Sequence, residues 1–230
     1  MKKIFALLPL IAAFTLAGCG DNEKESEEKG TNLPMTQEQA KAKVKELGET
    51  DGFEISFKYI SSDSESSEKS EATIGNKDGY FWVYVDEDSK TMWKVDEVNY
   101  YIYSYDTESA KFSLAYTYPR AQIEQNGLSV AYSFDLYAPF IYMGNMYDGY
   151  EGYHKVKDTT FVGRSATEYQ LKESNGLAYV QAKVIIDKDT GITLYWGVSG
   201  ADVQGDYGSA SYEVTSFKTG ANVVVPTIAA

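Results

Sequence analysis

Cysteine is almost absent from this chain of 230 residues. Cys19 is the only one, so no disulfide can form within the chain and the folded part must hold itself together by its core. Histidine is as scarce. Any histidine-based zinc site or Ser-His-Asp triad would have to be built on His154 alone. Its context, "GYHKV", leads into a strand, where a solvent-facing or turn-satisfied histidine does no chemistry. Basic residues are few: 21 Lys and Arg stand against 34 Asp and Glu, for a net charge of −13. Such a surface opposes nucleic acid and direct contact with anionic headgroups. No apolar run reaches the roughly 20 residues that a transmembrane helix needs. Long amphipathic helices alternating with strands are missing too, which excludes a parallel α/β sheet.

What is present begins with a short apolar run. Lys2 and Lys3 precede Ile4 to Leu16, which is apolar or small throughout except for Thr15. That is the length of a signal-peptide core. Leu16-Ala17-Gly18-Cys19 then stands where an Ala-x-Ala cleavage site would be. The four residues resemble the lipobox of bacterial lipoproteins. The resemblance implies lipidation of Cys19 by a thioether-linked diacylglycerol and cleavage before it. Two or three acyl chains anchor stably where one does not. Residues 1–18 are thus expected to be a signal peptide. Removing them takes two lysines from the net charge, from −13 to −15. Residues 19–34 ("CGDNEKESEEKGTNLP") are expected to be the lipidated cysteine and a disordered acidic tether, because they hold too little apolar surface to offset ordering. Residues 35–230 are left as a single β-rich domain.

"TQEQAKAKVKELGE", from Thr36, predicts a helix. Thr36 and Gln39 have capping-box spacing, Ala40, Val44 and Leu47 form a narrow apolar stripe, and Gly48 is the expected stop. Beyond it the pattern is β. Phe53, Ile55, Phe57 and Tyr59 alternate with polar residues; Phe112, Leu114, Tyr116 and Tyr118 do the same. Asn76-Lys77-Asp78-Gly79 and Asp189-Thr190-Gly191 predict hairpin turns. Roughly nine or ten strands with short connections predict an antiparallel meander. Ser61 to Ser70 is expected to be a polar loop. Leu128 to Tyr150 breaks the alternation and carries Met143 and Met146, so it is expected to form one or two short helices or a compact loop. Some strands are aromatic on both faces. Tyr80, Trp82 and Tyr84 oppose Phe81 and Val83, and Tyr101, Tyr103 and Tyr105 alternate with Tyr100 and Ile102.

"FVGRSATEYQLKESNGLAYVQAKVIIDKDTGITLYW" and the closing "YEVTSFKTGANVVVP" resemble the half-barrel of the LolA/LolB- and LppX-type lipoprotein carriers over roughly residues 155–226. The resemblance implies a mainly β fold: a curved, half-barrel-like antiparallel sheet around an apolar cavity, with an N-terminal helix and one or two short lid helices. It implies a non-enzymatic carrier or binder of a lipid-like ligand. Together with the lipobox, the expectation is a monomer in the cell envelope, on the extracytoplasmic side and joined to the membrane through Cys19, without cofactor or metal. Leu136, Phe140, Met143, Met146, Trp82, Trp93 and Tyr103 are the candidates for the cavity or its lid. Dedicated carriers often place an arginine in the cavity; neither Arg120 nor Arg164 maps onto that role. The alternative is a protein–protein interaction or envelope-sensing module that uses the tyrosine-rich sheet.

Other motifs weigh less. Ser66-x-x-Lys69 with Lys218-Thr219-Gly220 mimics two of three penicillin-recognising motifs, without a helix to hold the serine. Asp187-x-Asp189-x-Gly191 and Asp86-Glu87-Asp88 lack the twelve-residue spacing of a calcium loop. Turn geometry alone accounts for Asp-Thr-Gly.

Overall fold

The computed structural model of the chain describes residues 35, 37–63, 66–85, 89–125, 153–174, 179–201 and 207–229. Helix α1 (Gln37–Thr50) leads into strands β1 (Phe53–Ser62), β2 (Ser67–Lys77), β3 (Tyr80–Tyr84), β4 (Lys90–Val95), β5 (Asn99–Asp106) and β6 (Lys111–Pro119). A short helix α2 (Arg120–Gln125) follows, then β7 (His154–Phe161), β8 (Arg164–Ser174), β9 (Tyr179–Asp187), β10 (Thr193–Ala201) and β11 (Tyr207–Thr219). The strands form one antiparallel sheet in the order β6-β5-β4-β3-β2-β1-β11-β10-β9-β8-β7. The fold is therefore mainly β: two meanders joined by pairing β1 with β11, Phe53 opposite Thr219 and Ser62 opposite Ser209. The sheet is open, with β6 and β7 at its edges. No helix among the described residues is long and apolar enough to cross a membrane.

Local sequence explains the turns. Asp78 and Gly79 both have positive φ, 53° and 77°, as a two-residue hairpin matched to strand twist requires. The β7–β8 turn uses Val162 and Gly163 in the same way, with φ of 44° and 78°. A β-branched residue is strained there, and nothing in the sequence announces it.

Alternation predicts the core face of β1 correctly: Phe53, Ile55, Phe57 and Tyr59 are all buried. Each such burial contributes about 1.5–3 kcal/mol. Helix α1 lies on this side. Ala40 and Val44 are buried, and Ala40 packs so close to Gly191 that a Cβ there would meet it at 2.9 Å. At its other end Gly48 leaves room for Asn76, whose Nδ2 would stand 2.8 Å from an added Cβ.

Two expectations are corrected. Gly48 does not stop α1, which continues to Thr50; its small size serves contact with Asn76 instead. The stop is Gly52, at φ 76°, whose N–H donates to the Leu47 carbonyl at 2.8 Å. Ser61 to Ser70 is not one polar loop. Ser61 and Ser62 end β1, Ser67 begins β2, and Ser62 pairs with Ser67. Backbone ladder bonds need no apolar side chain, so a polar run can hold its place on β1. The turn is closed by the Asp63 carboxylate, which accepts the Ser66 N–H at 2.7 Å.

Candidate functional site

The aromatic strands arrange their side chains in cross-strand rows. On the face away from α1, Gly75, Trp82, Met92, Tyr103 and Leu114 stand successively opposite one another across β2 to β6. Trp82 lies flat across Gly75: a Cβ on that glycine would stand 2.0 Å from the indole Cε2. A neighbouring row runs Lys77, Tyr80, Lys94, Tyr101. The Lys94 ammonium sits over the Tyr80 ring at 4.7 Å, and Lys90 sits over Tyr105 at 4.2 Å. Trp82, Met92, Tyr103 and Phe112 are buried.

Residues beyond β11 cover this face. After a single 3-10 turn (Gly220–Asn222), the chain crosses the sheet and reaches the outer edge of β6. Val223 is buried among Trp82, Met92, Tyr103 and Phe112, with Val225 and Ile228 packed beside it. Val224 points away, 73% exposed. Lys77 Nζ donates to the carbonyls of Gly220 and Val223 at 3.0 and 2.8 Å. Phe112 N–H donates to the Thr227 carbonyl at 2.9 Å, and its own carbonyl accepts the Ala229 N–H at 2.7 Å.

Two phenols beside this strap are held in the neutral form. Burial, with Tyr80 beside it, pushes the Tyr103 phenol up to about 12. Burial also holds Tyr84 well above the ordinary phenol range. Trp82 Nε1, fully buried, has no hydrogen-bond partner among the described residues.

The Gly163-Arg164 and Asp187-x-x-Thr190-Gly191 motifs belong to a second constellation, far along the sheet order. Arg164 grips Asp187 with both forks: Nε at 2.7 Å and the terminal nitrogen at 3.0 Å. Asp187 Oδ1 also accepts the N–H groups of Asp189 and Thr190 and the Thr190 hydroxyl. Burial pushes the Asp187 carboxyl up, but Arg164 and the turn donors outweigh it and hold it below the usual range. The guanidinium lies 4.7 Å from the Phe217 ring centroid. This arginine fastens the start of β8 to the end of β9 and the turn after it, and its carboxylate partner is held by two donors from Arg164 and three from the turn. Among the described residues no three His, Cys, Asp or Glu side chains gather as a metal site requires.

The structure brings Trp82 and Tyr103 together and adds Met92 and Phe112. Trp93 faces the opposite way, stacked on Phe81 at 5.7 Å. Leu136, Phe140, Met143 and Met146, with the rest of Leu128 to Tyr150, lie outside the described residues, as do Cys19 and Asp86-Glu87-Asp88. His154 is exposed at the start of edge strand β7, opposite Gln170. Ser66 and Lys218 stand near opposite ends of β1, and Lys218 is paired with Glu54 at 2.6 Å. Sequence reasoning missed the strap. Its signal was the Val223-Val224-Val225 run after Gly220, which continues no strand alternation.

No protein-family model and no curated protein matches the chain. Among solved structures it is similar to the Pseudomonas aeruginosa MucA/MucB complex, at 14% identity and TM-score 0.37, over 82% of this chain; it spans 58% of that chain's length. It is similar to an outer membrane lipoprotein-sorting protein domain from Vibrio parahaemolyticus, at 9% identity and TM-score 0.26, over 82% of this chain and 94% of that one. A LolA superfamily protein from Nitrosomonas europaea is similar at 8% identity and TM-score 0.24, over 83% of this chain and 96% of the other.

Proposed function

We propose that this chain is a lipoprotein of the bacterial cell envelope, anchored on the extracytoplasmic side of a membrane through Cys19, that binds an apolar, lipid-like ligand without catalysis. Leu16-Ala17-Gly18-Cys19 supports the anchor. The ligand half rests on one observation: the sheet carries large apolar side chains on both faces. Phe81, Trp82 and Val83, three successive residues of β3, are all buried. One core needs only one such face; the second, which Val223, Val225 and Ile228 cover, offers its apolar area to a ligand that takes the place of this strap.

The test has two readouts. Labelled palmitate should mark the wild-type chain and not Cys19→Ser, which should leave the membrane fraction. Native mass spectrometry of the full chain, extracted gently, should show a co-purified lipid mass. Retention of Cys19→Ser on the membrane without detergent overturns the anchor. Absence of any bound lipid overturns the ligand.

A second reading, an interaction module, is favoured by one observation. Edge strand β6 exposes Leu114 and Tyr116 at 53% and 59%.

A further inference from the structure

The C-terminal strap is an extended peptide held in a groove, and the groove recognises it mostly through its main chain. Lys77 binds two of its carbonyls, and Phe112 exchanges a backbone N–H and a carbonyl with Ala229 and Thr227. Its side chains alternate, Val223 inward, Val224 outward and Val225 inward. Nothing in these contacts is specific to this tail beyond an uncharged, extended shape.

We propose that this face of β2 to β6 is a docking groove for an extended, uncharged, β-branched strand of a partner protein, and that residues 220–229 are its built-in competitor. This goes beyond the lipid reading, needing neither the anchor nor a lipid.

Three further observations point to exchange. The tail covers Trp82 without giving its Nε1 a partner among the described residues, which leaves a donor that another occupant could bond. It departs from β11 at Gly220, φ 63°, where an added Cβ would meet nothing within 4 Å. The chain turns off the β1–β11 ladder at this glycine. The edge onto which the tail docks is also weakly protected: between Lys111 and Pro119, β6 carries no charged residue. The opposite edge, β7, carries Lys155, Lys157 and Asp158, the charges that natural sheets place on strands meant to stay single. A partner strand entering here would add to β6 in the manner of strand augmentation.

The probe is a fluorescent synthetic peptide copying residues 221–229, titrated into the full chain and followed by anisotropy. In the wild type the tethered tail competes at an effective concentration on the order of millimolar. Val225→Asp in the chain weakens the tail, so the peptide should bind this variant at least about tenfold more tightly than wild type. The same peptide with aspartate replacing its Val225 should bind neither. Equal binding to both chains, or binding to neither, overturns the proposal. If circular dichroism shows the variant unfolded, the wild type decides. Millimolar peptide should speed hydrogen exchange in residues 223–229 and leave the β1–β11 ladder unchanged, and an unaltered tail overturns the proposal. Repeating either arm on Cys19→Ser separates the outcome from that of the lipoprotein reading, because the groove makes no use of the anchor.

Discussion

Replacing Arg164 with methionine probes the fastener between the start of β8 and the end of β9. Methionine keeps an unbranched stem against Phe217 and removes the charge. Asp187 would be left with its side chain 0% exposed, still accepting three turn donors but facing no cation. Removing one partner of a buried pair costs about 3–5 kcal/mol. For a domain of this size the urea slope is about 2–3 kcal/mol/M, so the midpoint should fall by about 1–2 M. Adding Asp187→Asn removes the stranded charge and keeps an acceptor for the turn. The double variant should recover part of the loss, with a coupling energy of about 1.5–3 kcal/mol. The pH dependence has a definite sign. The Asp187 carboxyl is depressed in the fold, so its stabilisation is complete above the unfolded carboxyl range and is lost as pH falls through the folded value. Without Arg164, burial dominates and the carboxyl moves up. Acid then relieves the variant while it weakens the wild type, and their stability difference should shrink as pH drops from 7 towards 4. A midpoint shift below a few tenths molar, or a gap that widens in acid, would refute the account.

Gly75→Ala should drive Trp82 off the sheet, because the added Cβ would stand 2.0 Å from the indole; overpacking of this kind costs about 1–3 kcal/mol and should shift the emission of a tryptophan that is now fully buried. The phenols of Tyr59, Tyr84, Tyr103, Tyr169, Tyr195 and Tyr212 are all raised, burial first among the causes. Their contribution to stability is whole below the unfolded phenol value near 10 and is lost as pH rises towards 12, at up to about 1.4 kcal/mol per phenol and pH unit. Absorbance at 295 nm should therefore rise together with unfolding, and an early, gradual rise in the folded chain would count against it. Deleting residues 20–33 should leave the melting temperature within a degree or two, and a larger drop would mean that this stretch packs on the fold.

The β content was legible because it is local. Period-two apolar residues in "FEISFKYI" name the buried face of β1 without any knowledge of its partners. Asp78-Gly79 names a hairpin because few pairs tolerate two positive φ angles. What was illegible is what only tertiary contact decides. Gly75 reads as a strand-weakening glycine until Trp82 is placed across it, and Gly48 reads as a helix stop until Asn76 is placed under it. Arg164 and Asp187 sit at recognisable turns, yet their pairing spans 23 residues of sequence. Trp82, Trp93 and Tyr103 were grouped as candidates for one cavity. Strand parity separates Trp93 from the other two, and that parity depends on the register of two hairpins, β3–β4 and β4–β5.

The β1–β11 seam explains why the strap, rather than α1, should be the part that yields. Both segments leave the same pair of strands. Phe53 pairs with Thr219, and just outside them Gly220 N–H donates to the Gly52 carbonyl at 3.3 Å. The two glycines have φ of 76° and 63°, which redirect the chain at the seam. Neighbouring residues of β2 then receive the segments on opposite faces: Asn76 meets α1, and Lys77 holds the tail. The two closures are unequal. Helix α1 brings its own backbone hydrogen bonds and buries Ala40 and Val44. The tail has no internal ladder; beyond the Lys77 contacts it is joined to the sheet by the Phe112 pair. Segments with few backbone bonds and few buried side chains open at the lowest free energy. Amides bonded across the strap, those of Phe112 and Ala229, should exchange before those of α1 and well before the β1–β11 ladder. If they exchange with the ladder, the tail is an integral part of the sheet, and the groove beneath it has no means of admitting another chain.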